Sequence, residues 1–169
     1  MAQGGRVVVG VSGSLRSLAA LHRAVDEARR RDAELMAVLA WTVPGGEPAY
    51  RRNPCPSLLT VCEEAAAERL EQAFRDAFGG PPAGVRLRLV TARGEPAAAL
   101  TELAHRPEDL LVISTGRRGL LPRLFHGGVS RHCLARARCP VLAVPPSELM
   151  HDLGRTTGVL DALRLGHPA

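Results

Sequence analysis

Between Ser114 and Ser130 the chain reads STGRRGLLPRLFHGGVS: four glycines, three arginines, one histidine and no acid. Glycine loses more freedom on ordering than any other residue, so a cluster of it marks backbone that must turn sharply or come close to something. The chemistry open to such a segment is holding an anion. Gly127 and Gly128 let the main chain approach closely, Ser130 can donate a hydroxyl, and a helix starting near Gly128 would point its free N–H groups at the same spot. The same glycines would serve equally if they only shaped a tight turn, and the residues alone leave both readings open.

A second glycine–serine stretch, GVSGS (Gly10–Ser14), follows an apolar run near the N-terminus. It imitates a nucleophile elbow, but the pattern GxSxG needs glycine two positions after the serine, where Ser14 stands, so Ser12 is not expected to attack a substrate. No paired carboxylates accompany either stretch, which leaves acid–base hydrolysis without players. His105, His126 and His132 are scattered and are expected on the surface or lining a helix. The cysteines Cys55, Cys62, Cys133 and Cys139 form no CxxC pair and give no metal-site spacing. Cys62 and Cys133 are expected as small buried hydrophobes on helices and Cys139 at the opening of a strand. Cys55 is expected exposed, with nothing near it to lower its pKa.

The elements that must position these stretches follow from the hydrophobic pattern. Arg6–Val11 is a β-branched run of the kind that forms a strand buried on both faces. Leu18, Leu21, Val25 and Ala28 recur at helical spacing, with Arg29–Arg31 at the end where cations suit the helix dipole. Glu34–Trp41 reads as a second strand, with Trp41 in the core or a crevice wall. Thr42–Pro56 reads as a proline- and glycine-rich loop, and Ser57–Phe78 as a long helix. Val85–Thr91 alternates as a third strand. Gly94–Arg106 is a helix with Pro96 in its first turn. Asp109–Thr115 is a fourth strand, Val129–Arg138 a short helix, and Cys139–Pro146 a last strand. Strands alternating with helices predict an α/β fold with a parallel sheet covered on both faces. In such a sheet ligands sit at the carboxyl ends of the strands, where GVSGS and STGRRG converge.

The 169 residues suit one domain, and 46% hydrophobic with 23% charged residues marks a globular chain and not a disordered one. No apolar run approaches the length of a membrane span, and the N-terminus has no targeting pattern, so a cytoplasmic protein is expected. All 22 basic residues are arginine, which excludes Walker A, kinase-strand and Schiff-base lysines. Between Leu110 and Ser147 there is no acid but six arginines, a local positive field that favours phosphate-bearing partners. With aromatics at 3%, stacking platforms for nucleic acid are too few.

VVVGVSGSLRSLAALHRAVDEA, RGEPAAALTEL and LLVISTGRRGLLPRLFHGGVSRHCLARARCPVLAVPP together resemble the universal stress protein family. The resemblance covers residues 1–146 as a domain (most clearly from residue 5) and leaves 147–169 as a tail that could be partly helical. It implies a five-stranded parallel, Rossmann-like sheet of the adenine nucleotide alpha hydrolase type, with strand order 3-2-1-4-5. It also implies a homodimer paired through the edge strand Cys139–Val144, which would otherwise be exposed. Members divide into ATP binders, with Mg, and non-binders. Carried onto this chain, the binding residues are Val11, Ser12, Ala40, Thr115, Gly116, Arg118, Gly119, Gly127, Gly128, Val129 and Ser130.

Three departures stand out from the binders' pattern, G-x2-G-x9-G-[ST] with an Asp after the first strand. Seven residues, not nine, separate Gly119 from Gly127; Gly128 occupies the Ser/Thr position; and Ser12 stands where the Asp is expected. Losing the Asp removes a charge-assisted bond on the order of 1.5–3 kcal/mol. The resemblance therefore implies a dimeric stress-response sensor or regulator that binds ATP or another nucleotide weakly, with at most slow hydrolysis. Two alternatives remain: a dimeric scaffold of the same fold that binds no nucleotide and acts through a protein partner, and an ATP pyrophosphatase-like enzyme, since VSGSLRS also resembles the SGGxDS loop.

Overall fold

The structure, a computed structural model, describes residues 5–115 and 128–145. The glycine-rich residues 116–127 and the tail from 146 onward lie outside the described residues.

β1 (Val7–Gly10), β2 (Leu35–Trp41), β3 (Leu87–Arg93), β4 (Leu110–Ser114) and β5 (Val141–Val144) form one parallel sheet in the order β3-β2-β1-β4-β5. This is the order the family resemblance implies. The helices are α1 (Leu15–Arg31), α2 (Gly46–Arg52), α3 (Pro56–Phe78), α4 (Pro96–Leu103) and α5 (Gly128–Arg136).

The β-branched runs build the centre because side chains on a strand alternate between faces and here both faces are covered. Val7, Val9, Leu35, Leu39 and Val112 point toward α1 and α3, where Leu21, Val25, Leu70 and Phe74 meet them. Val8, Met36, Val38, Leu111 and Ile113 point the other way, against Leu100 of α4 and Cys133 of α5. Gly10 lets α4 close on β1: a Cβ there would lie 2.8 Å from Leu100 Cδ1.

α1 starts where Ser14 turns its hydroxyl to the Ser17 N–H, and Ser17 Oγ donates back to the Ser14 carbonyl at 2.7 Å. A cap of this kind contributes roughly 1 kcal/mol. Arg29–Arg31 close the helix as expected, and the chain turns at Asp32 in the left-handed region, φ 48°.

Some boundaries differ from the sequence reading. Thr42–Pro56 is not all loop, since α2 lies inside it and Pro56 already begins α3. α2 buries no residue, so it has no apolar stripe to read, and it is tied down instead by Glu47, which takes both Nε and Nη2 of Arg93 at 2.8 Å. β3 runs later than Val85–Thr91, at Leu87–Arg93, and β5 starts at Val141, two residues after Cys139. Cys133 is buried, whereas Cys62 is only half-buried. Cys55 is exposed, as expected, but its thiol is held below the usual range by the Ser57 hydroxyl, 3.3 Å from Sγ, with the Leu58 main chain adding to this. The expectation that nothing near it would lower its pKa is therefore corrected.

Candidate functional site

In a parallel sheet every strand delivers its following loop to the same end. Ser12 and Ser14 follow β1 there, Ala40 lies near the end of β2, Thr115 follows β4, and Gly128–Ser130 open α5. They line a cleft of about 810 Å³, within the roughly 300–1,000 Å³ of small-ligand sites. Val38, Leu39, Leu100 and Ile113 give it apolar walls. Of the residues singled out from the sequence, Val11, Ser12, Ala40, Thr115, Gly128, Val129 and Ser130 meet in this one cleft. Gly116, Arg118, Gly119 and Gly127 lie outside the described residues.

The cleft offers main-chain hydrogen bonds at two places. The β1–β2 ladder ends at Gly10↔Val38, and Val11 N–H donates to the Val38 carbonyl at 2.8 Å. β2 continues to Trp41, paired only with β3. Because alternate residues of a strand face the same neighbour, Ala40 turns its N–H and C=O toward the side where β1 has ended. Among the described residues neither group has a main-chain partner on that side, which places one donor and one acceptor at the cleft. The second place is the start of α5, whose first N–H groups have no acceptor within the helix and whose first turn holds no acid. Among the described residues a Cβ on Gly128 would meet nothing within 4 Å, so none of them closes this helix end.

The hydroxyls are less free than the sequence implies. Ser12 Oγ lies 2.8 Å from Ser14 Oγ, so its partner is another hydroxyl and not a base. Thr115 Oγ1 donates to the Val144 carbonyl at 3.3 Å, and Ser130 Oγ donates to the Ser114 carbonyl at 3.2 Å. The Ser130 proton, counted above as available to an anion, is committed to β4, and only the oxygen lone pairs face outward.

Three ionisable residues among the described lining were not picked out from the sequence as site residues: Arg69, Glu95 and His132. Arg69, on α3, extends Nη2 to the Ser12 carbonyl at 3.1 Å. Glu95 precedes α4 with no side-chain hydrogen bond to its first turn, on the face of the sheet opposite α3, and half-buried His132 lies one turn into α5 on that same face. Nothing in the spacing of α3 marked Arg69, because its place depends on how that helix packs over β2. Among the described residues no group of three His, Cys, Asp or Glu side chains is placed to hold a metal, and no helix is long and apolar enough to cross a membrane.

A family model described as the universal stress protein family matches residues 5–145. A universal stress protein of Mycobacterium tuberculosis (strain ATCC 25618 / H37Rv) is 36% identical over 140 residues, which is 80% of this chain and 42% of that protein. One from Methanocaldococcus jannaschii is 29% identical over 140 residues, covering 82% and 81%. The chain thus spans about two fifths of the mycobacterial relative. Among solved structures, the universal stress protein UspA from Lactobacillus plantarum superposes with a TM-score of 0.62 at 23% identity, over 85% of this chain and 99% of that one. A universal stress protein in complex with cAMP superposes with a TM-score of 0.54 at 30% identity, over 85% and 98%.

Proposed function

The chain belongs to the universal stress protein family, and from that premise we propose that its cleft binds an adenine nucleotide and that occupancy regulates a cytoplasmic dimer in a stress response. One observation carries the reading: the free Ala40 main-chain edge and the open N-terminus of α5 share one apolar-walled cleft. Adenine places an acceptor nitrogen beside its amino donor, which matches the N–H and C=O of Ala40. A phosphate matches the helix end. The cAMP held by the 30% identical relative supports the same class of ligand.

Affinity is weak because Ser12 offers no carboxylate and Gly128 no hydroxyl. We read the protein as a binder and not an enzyme, a reading supported by Ser12, whose hydroxyl is partnered by the Ser14 hydroxyl and not by a base. Regulation follows from connectivity: α5 leads directly into β5, so a ligand at its start touches the element that carries the sheet's edge.

The test is to denature purified protein, identify released nucleotide by mass spectrometry, and titrate the stripped protein with Mg–ATP and with cAMP by calorimetry. Co-purified nucleotide, or a dissociation constant in the micromolar range, supports the reading. A ligand at 100 times its Kd should also add about 2.7 kcal/mol of stability. Absence of heat and of any Tm shift at millimolar ligand favours the second reading, a dimeric scaffold acting through a protein partner. The internal commitments of the Thr115 and Ser130 hydroxyls support that reading.

Dimerisation through β5 has its own test. Leu111 N–H bonds the Pro140 carbonyl and Thr115 N–H bonds the Val144 carbonyl, so even-numbered residues of β5 face β4 and Ala143 faces outward. Ala143→Pro therefore removes an outward N–H without removing a bond to β4. The variant is expected to sediment as a monomer with little change in Tm, and a dimer unchanged in sedimentation would move the interface elsewhere.

A further inference from the structure

Across the cleft the order of elements is fixed by the sheet: the end of β2, then the end of β1, then the end of β4 with the start of α5. If the base lies at Ala40 and a 5′-phosphate at α5, as proposed above and as this inference requires, the ribose lies between them, over Ser12. That is where Arg69 arrives. α3 packs on β2 and β3, and from there the guanidinium reaches the Ser12 carbonyl at 3.1 Å.

An acidic side chain beside a ribose accepts hydrogen bonds from its free hydroxyls, whereas an arginine there accommodates a phosphate esterified to the ribose. In this chain no carboxylate stands at the end of β1. Ser12 Oγ is turned to Ser14, and the strongest group present is a cation. A guanidinium has five N–H donors in a planar fork suited to phosphate, and one of them is engaged by Ser12. Among the described residues no carboxylate lies within ion-pair distance of Arg69, whose side chain is exposed. Glu95, the one acid among the described lining residues, precedes α4, on the face that α5 also covers and opposite the face of α3 that carries Arg69.

We infer that Arg69 makes this a site for nucleotides whose ribose carries, besides the 5′-phosphate, a further phosphate on its 2′- or 3′-oxygen, and that it disfavours those with free 2′- and 3′-hydroxyls. Where a site with an acid after β1 offers an acceptor to the sugar, this one offers donors.

The experiment compares adenosine 3′,5′-bisphosphate with ADP, which carry the same two phosphates in different places. Both are titrated by calorimetry, without Mg, into the stripped full chain and into Arg69→Gln. The unmodified chain is expected to bind the bisphosphate at least tenfold more tightly, and Arg69→Gln to hold the two within threefold of each other. Ser12→Asp, which restores an acceptor beside the sugar, should shift the preference toward ADP. Since Arg69 is exposed, Arg69→Gln should keep its Tm, which also checks that it is folded. Equal affinities in the unmodified chain, or a preference that survives Arg69→Gln, would overturn the role of Arg69 and leave nucleotide binding standing. Failure of both ligands to bind would remove the nucleotide reading and this inference with it.

Discussion

Asp109→Ala is expected to lower stability by about 3–5 kcal/mol, a fall in Tm on the order of 10 °C for a domain of this size. Asp109 is fully buried and is the only charged residue so placed among those described. Its Oδ2 lies 2.6 Å from Arg6 Nη2, and its Oδ1 accepts from Arg6 Nε at 3.1 Å and Arg6 N–H at 3.2 Å. The Arg106 N–H donates to Oδ2 at 3.2 Å. One carboxylate thus ties the start of β1 to the turn before β4. Removing it leaves the Arg6 side chain, only 11% exposed, as a largely buried cation whose remaining partner is the Leu103 carbonyl, and it leaves two main-chain donors without acceptors.

The pH dependence of the same variant separates charge from packing. Desolvation pushes the Asp109 carboxyl up, but its bonds from Arg6 and Arg106 outweigh this and hold it below the usual carboxylate range. A group with a depressed folded pKa contributes stability that is present above its unfolded value of about 3.9 and is lost as pH falls through the folded value. The stability difference between the unmodified chain and Asp109→Ala should therefore be full at neutral pH, begin to shrink as pH falls to about 4, and go on shrinking until the folded carboxyl is itself protonated. Chemical denaturation across that range measures it, and a difference independent of pH would mean that packing, and not the ion pair, sets the loss.

Asp109 also shows where the sequence was readable. The apolar runs around Val7–Val9, Leu35–Leu39 and Leu110–Ile113 are buried on both faces, so each announces a central strand by composition alone. α1 announces itself by Leu21, Val25 and Ala28 on one stripe and by arginines at its end. α2 does not, because a helix with no buried residue has no period, and its anchor, Glu47 to Arg93, spans 46 positions. The same reason hid Arg69. One arginine among the charged residues of α3 looks like a solvated face until α3 is laid over β2 and the guanidinium arrives at Ser12. That Val11 and Ser12 would meet Thr115 and Gly128–Ser130 at the ends of β1 and β4 was legible because each stretch follows its strand directly. Whether Ser130 had a free proton was not, since its partner is the carbonyl of Ser114, on β4. Local pattern reveals which segments meet; it does not reveal which of their groups are already committed to one another.

Gly128→Glu is the substitution that should most sharply separate ligand binding from folding. Among the described residues a Cβ at Gly128 meets nothing within 4 Å, and Gly128 already lies in the helix α5, so none of them opposes a side chain there. A carboxylate in the first turn of α5 faces the positive end of the helix dipole, worth about 0.3–1 kcal/mol in its favour. Tm should therefore hold or rise slightly. For an anionic ligand the same change is adverse twice over: the helix end is already occupied by a negative group, and two like charges about 4 Å apart repel by roughly 1–4 kcal/mol near a protein surface. Together these weaken nucleotide binding by about 100-fold, each 1.4 kcal/mol being a factor of ten. Gly128→Ser is the counterpart, adding a hydroxyl without charge at the same open position, and it should tighten binding by a few-fold. Calorimetric titration of both variants, with Tm measured alongside, gives the answer. Gly128→Glu that binds as the unmodified chain does would place the phosphate away from α5, whereas lost binding with a retained Tm would locate it at this helix end.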